Sequence, residues 1–132
     1  MKIYVKNTEQ GLIPLYESDR KTKVKLKLGK EYLCEIKHPR NGKFHKKFMA
    51  LVNLGFANQK IYTFFDDYRY DVVILSGNYT LTPEGNKKPK SIAFANMEQE
   101  EFEKLYNDVL QVIAKLLGNK PEIIEANLLG FM

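Results

Sequence analysis

His38-Pro39-Arg40-Asn41-Gly42-Lys43-Phe44-His45-Lys46-Lys47-Phe48-Met49-Ala50-Leu51-Val52-Asn53-Leu54-Gly55-Phe56 is the stretch on which the reading of this chain turns. Phe44, Phe48, Leu51, Val52 and Phe56 recur at the i, i+4, i+7, i+8 spacing that lines one face of a helix. At about 100° per residue, Lys43, Lys46 and Lys47 are expected together on the opposite side. A core helix with a basic outer face, entered through a Pro-Arg-Asn-Gly turn and ending near Ala57-Asn58, is therefore expected.

Outward from this helix, composition limits the possibilities. The chain has 132 residues, 44% hydrophobic and 12% aromatic, enough for one domain with a real core and incompatible with a disordered chain. Residues 1–132 are read as a single domain with 121–132 as an apolar C-terminal tail. The single Cys34 excludes an internal disulfide framework and suits a reducing compartment. No apolar run reaches the ~18 residues that span a bilayer, and Met1–Lys6 lacks a signal-peptide core. The expected location is the cytoplasm, with no membrane partner.

Charge is divided unevenly. Residues 1–60 carry 14 Lys/Arg against 5 Asp/Glu, and residues 61–132 carry 7 against 11. Such asymmetry favours a polyanionic partner for the basic half. Six of the eleven residues from Arg20 to Lys30 are basic. Lys23-Val24-Lys25-Leu26-Lys27-Leu28 alternates as a strand does, whereas Ser18 or Asp19 would cap a helix running to Leu28; both remain open. As a strand, Lys23, Lys25 and Lys27 would share one face and follow a phosphate backbone, or defend a sheet edge against aggregation.

The remaining elements complete an α+β reading, a small antiparallel sheet packed against about three helices. Lys2–Lys6, a short edge strand around Leu12–Tyr16, and Glu31–Lys37 read as strands. Asp66–Ser76 reads as a helix stopped by Gly77. Asn78–Pro83 and Ser91–Ala95 flank a basic tip holding Lys87, Lys88 and Lys90, the signature of a hairpin. Asn96 and Gln99 have capping-box spacing before a helix whose buried stripe is Phe102, Leu105, Tyr106, Val109, Val112, Ile113 and Leu116. Gly118-Asn119 and Pro121 end it. Ile123, Ile124, Leu128, Leu129 and Phe131 make the tail apolar enough to pack on the core or on a second subunit.

Catalytic constellations are thin. His38 and His45 are not at the i, i+4 spacing of a helical metal pair; His45, at the border of the apolar stripe, reads as a half-buried ring with a satisfied nitrogen. Cys34 has no helix N-terminus to activate it. Asp66, Asp67 and Asp71 are the residues a metal-dependent nuclease would use, but helix-start preference accounts for the first two. No catalytic residue, cofactor or metal is expected.

Pro39-Arg40-Asn41, Phe44-His45-Lys46-Lys47-Phe48 and Ala50-Leu51-Val52-Asn53-Leu54 resemble a family of small uncharacterised phage and prophage proteins with a Phe-His-x-Lys-Phe helix start. Ser91–Met97 followed by Glu101-Phe102-Glu103-Lys104-Leu105-Tyr106 resembles that family's second block. More distantly, the layout resembles the lambda-phage Orf (NinB) recombination-mediator family, with Phe44-His45 standing where that family has Gln-Asn. The resemblance implies a homodimer that binds single-stranded DNA and helps exchange single-strand-binding protein for a recombinase. The expectation is a non-enzymatic, phage-type DNA-binding protein of recombination or replication. It would grip phosphates with Arg40, Lys43, Lys46 and Lys47, helped by Lys23, Lys25, Lys27, Lys87, Lys88 and Lys90, with Tyr4 or Tyr32 stacking on bases. A protein-interaction adaptor using the apolar tail and acidic last helix is the rival expectation.

Overall fold

The computed structural model describes residues 1–128. Its class is α+β, with five helices and two separate two-stranded antiparallel sheets among the described residues. The chain divides into two compact units, Met1–Ile36 and Lys37–Met132.

In the first unit, β1 (Val5–Thr8) pairs with β2 (Gly11–Pro14), with Val5 opposite Pro14 and Thr8 opposite Gly11. The turn is closed by Thr8, whose hydroxyl donates to the Gly11 carbonyl and accepts from the Gln10 N–H. The helical alternative prevails after it: α1 spans Glu17–Val24. Its decisive residue is Asp19. This buried carboxylate accepts the N–H of Tyr16, the N-cap, at 3.1 Å and of Tyr4 at 3.0 Å, fixing the helix start against the hairpin. Asp19 thus works from the third helical position and not as the cap. Lys23 lies in the last turn, Lys25 at the C-cap and Lys27 beyond it, so the single-faced ladder of Lys23, Lys25 and Lys27 does not form. Glu31–Lys37 is not a strand either. Alternation is only half of what a strand requires, and no neighbouring edge offers this segment its backbone partners.

The second unit begins with α2 (Gly42–Ala57), where Asn41 accepts the N–H groups of Lys43 and Phe44 through its side chain, satisfying two of the four donors that a helix start leaves open. α3 (Phe65–Leu75) and α4 (Gln99–Leu117) complete the main layer. Phe48, Leu51 and Val52 meet Tyr68, Val72, Val73, Phe102, Leu105, Tyr106, Val109 and Ile113 in a core whose largest members are fully buried. Aromatic edges add directionality: Phe102 packs on Phe44 at 5.5 Å and on Phe48 at 5.3 Å, each pair worth about 0.5–1.5 kcal/mol beyond its area. Gly55 is buried where α2 passes closest to Tyr68 and Ile113, leaving no room for a Cβ.

Between α3 and α4, β3 (Tyr79–Leu81) pairs with β4 (Lys87–Pro89), Tyr79 opposite Pro89. The hairpin exists, but its second strand is the lysine segment itself and its turn is Thr82–Asn86. The Thr82 N–H donates to Asn86 and the Gly85 N–H to Thr82, with Gly85 at φ +85°. Ser91–Ala95 is irregular, and α4 starts at Gln99 with Glu98 as N-cap, so the Asn96–Gln99 box is not formed. Asn96 instead donates to Ser91, and buried Gln99 accepts the Asn41 N–H at 2.9 Å, joining the starts of α2 and α4.

Gly118, at φ +69°, caps α4, and Pro121 opens α5 (Pro121–Ala126). The apolar tail packs on the core as expected for Ile124 and Leu128, both buried; Ile123 is exposed, and Leu129 and Phe131 lie outside the described residues. No helix among the described residues is long and apolar enough to cross a membrane.

Candidate nucleic-acid interface

The ten basic residues singled out from the sequence separate into three groups. Lys23, Lys25 and Lys27 are exposed in the first unit, within the run Arg20–Lys30. Arg20 pairs with Glu17 at 3.5 Å, while Lys21, Lys23, Lys25, Lys27 and Lys30 have no carboxylate partner among the described residues. Lys21 and Lys23 sit in the last turn of α1, where the helix dipole welcomes cations. That reason extends to Lys25 at the C-cap and does not reach Lys27 or Lys30. Tyr32 is exposed, and its hydroxyl accepts the Lys27 N–H at 3.0 Å, holding the loop beside the basic run. Tyr4 is also exposed and rests its ring edge against Tyr16.

In the second unit Lys43 and Lys46 are exposed on α2, and Lys87 and Lys88 on β4. Lys87 lies 4.7 Å over the Tyr79 ring. Lys90 is half-buried and pairs with Glu101 at 3.4 Å. Lys88 and Lys90 line a shallow cavity of about 370 Å³ together with Thr80, Ser91, Asn96 and Glu101.

Lys47 and Arg40 depart from expectation. Lys47 is 6% exposed, pairs with Glu125 of α5 at 2.9 Å and lies 5.1 Å over the Tyr106 ring. The helical wheel explains the correction: Lys47 falls about 60° from Phe44 and about 40° from Leu51, inside the apolar arc and not opposite it. Arg40 is half-buried. Its guanidinium donates to the carbonyls of Met97 at 2.6 Å and Ile92 at 3.2 Å, and stacks between Phe94 at 4.6 Å and Phe102 at 4.2 Å. It holds the Ile92–Met97 segment to α4 and the start of α2, and is spent on the architecture.

His45 is half-buried beside this guanidinium, with Nδ1 3.4 Å from Arg40 and its ring against Phe94 and Phe102. Burial first, then the charges of Arg40 and Arg69, hold its pKa below the ordinary imidazole value. Sequence reading missed Phe94. The ring is 54% exposed, yet Arg40 lies over it and His45 meets it at 5.3 Å.

The acidic residues are engaged locally. Asp66 pairs with Arg69 at 3.5 Å, and Asp71 accepts the Tyr62 hydroxyl at 2.6 Å, which with burial pushes that phenol up. No group of three potential ligands gathers around a metal position among the described residues. Cys34 is exposed, and His38 lies 3.3 Å from Glu100. The acidic start of α4 is likewise engaged, Glu98 pairing with Lys37 at 3.0 Å.

No curated protein and no solved structure gives a significant match to the chain. A family model does match, over residues 2–60 and 57–120, which is most of the sequence. The chain thus belongs to the family described as protein of unknown function DUF1367.

Proposed function

We propose that this protein binds nucleic acid, preferring single-stranded DNA, and serves as a non-catalytic accessory in recombination or replication. The observation that carries the binding reading is the run Arg20–Lys30: six exposed basic side chains, five without a carboxylate partner among the described residues and two, Lys27 and Lys30, beyond the reach of the α1 dipole. Unpaired lysines at this density are stabilised by a polyanion, whose bound counterions they release. Lys43, Lys46, Lys87 and Lys88 form a second exposed set in the other unit. The setting in recombination, the phage origin and the homodimer rest on the resemblance to the phage families alone.

Fluorescence anisotropy with labelled single-stranded and duplex oligonucleotides over a salt series tests the proposal. Affinity is expected to fall steeply with salt, and Lys25→Gln/Lys27→Gln/Lys30→Gln to flatten the single-strand slope by about 2. Absence of binding at low salt sinks the proposal.

One observation favours a second reading, a protein-interaction adaptor. Val24, Leu28, Leu33 and Ile36 are 82%, 101%, 95% and 76% exposed, an unusual density of open aliphatic surface. The buried Ile124 and Leu128 are not available for the tail-docking version of that reading. A host protein retained after nuclease treatment, and lost with Leu28→Ser/Leu33→Ser, would establish the adaptor.

A further inference from the structure

We infer that Phe94 is a base-stacking platform, a ring held rigid and open so that an unpaired nucleobase can lie on its outer face. The inference rests on the nucleic-acid reading above and adds to it a residue and a reason for single-strand preference.

Most aromatic side chains of the second unit are committed to the core or its margin. Phe102, Tyr106 and Phe48 are fully or almost fully buried, and Phe44, Phe56 and Phe65 pack partly covered against them. Phe94 is not: 54% of it is open. An exposed phenylalanine on an irregular segment ordinarily swings freely. This one is fixed from beneath, because Arg40 lies over one face at 4.6 Å and His45 meets the ring at 5.3 Å. The support is itself fixed, since the Arg40 guanidinium is tied to the Ile92 and Met97 carbonyls on either side of Phe94. Orientation entropy that a stacking residue would lose on binding has thus been lost on folding.

Charge points the same way. No carboxylate pairs with Arg40 among the described residues, and its Nε is buried without a hydrogen-bond partner, so the ring is backed by an uncompensated positive charge. A cation on one face draws π density toward itself and leaves the other face suited to an electron-rich base. An open aromatic face suits an unpaired base; a duplex keeps its base faces stacked internally and gains nothing from such a ring.

The chain contains no tryptophan, so Phe94→Trp in the full-length protein introduces a sole indole reporter. Titration with oligodeoxythymidylate is expected to quench its fluorescence in step with the anisotropy change, while a duplex of equal length leaves the emission unchanged. Phe94→Leu keeps an apolar cover over Arg40 and removes the π face. It is expected to bind the single strand about 5- to 150-fold more weakly, with duplex affinity unaltered and the thermal midpoint lowered only slightly, by the loss of the Arg40–Phe94 stack. If anisotropy reports bound oligonucleotide while the indole emission of the Phe94→Trp variant stays constant, or Phe94→Leu binds as the parent does, the stacking inference is overturned and the binding proposal stands. If no oligonucleotide binds the parent, both fall.

Discussion

Removing one partner of the Lys47–Glu125 pair should be costly, removing both should not, and the two single costs should be unequal. The ammonium–carboxylate distance is 2.9 Å, but the side chains are 8% and 32% exposed respectively. Breaking a fully buried pair costs about 3–5 kcal/mol, because the remaining charge has neither water nor partner. Glu125→Leu takes the carboxylate at 2.9 Å away from the ammonium, the more enclosed of the two, beside Tyr106 and Phe44, and should approach that range. Lys47→Met strands a carboxylate that keeps about a third of its surface in water, so a cost of about 2–3 kcal/mol is expected. The double variant Lys47→Met/Glu125→Leu replaces the pair with apolar groups of similar length and should lie within about 1 kcal/mol of the parent. Urea denaturation followed by far-UV circular dichroism measures all four proteins. Two equal single costs below about 1 kcal/mol that simply add in the double variant would refute the reasoning, since that is how a solvent-screened surface pair behaves.

Two further outcomes follow from the second unit. Gly55→Ala places a methyl group against the Tyr68 hydroxyl and within 3.2 Å of the Ile113 side chain; a destabilisation of about 1–3 kcal/mol is expected in the same denaturation assay, and the pairing Gly55→Ala/Tyr68→Phe should recover part of it. His45 has a folded-state pKa below its unfolded value, so the unfolded chain binds the extra proton first. The stabilisation it contributes is complete above the ordinary imidazole pKa and is lost as pH falls toward the folded one. Thermal midpoints measured on either side of pH 6.5 should therefore drop on acidification, and His45→Gln should drop less.

What could be read from the chain beforehand follows the range of the interactions involved. α2 was legible because its stripe through Phe48, Leu51 and Val52 is local and periodic. α3 and α4 were legible for the same reason, apart from the first turn of α4. There the chain is held short of helix by its own long-range contact, the Met97 carbonyl given to Arg40. Arg40 itself was misassigned because its acceptors are backbone carbonyls, which carry no signature in side-chain identity. Lys47 was misassigned because its counter-ion comes from α5, far along the chain, and because its angular position on the wheel lies closer to the apolar stripe than its charge suggests. Phe94 escaped notice as a strand residue. Its character depends on the guanidinium behind it, which no spacing rule connects to it.

The Lys47–Glu125 contact also constrains how the protein is made. Until α5 has left the ribosome, the growing chain holds a lysine within the apolar arc of α2 without its Glu125 carboxylate. Burial of Ile124 and Leu128 and the Glu125 contact all wait on that helix, so the surroundings of Lys47 close only once α5 has emerged. A chain stalled near Asn119 would therefore display the apolar surface that Ile124 and Leu128 otherwise cover.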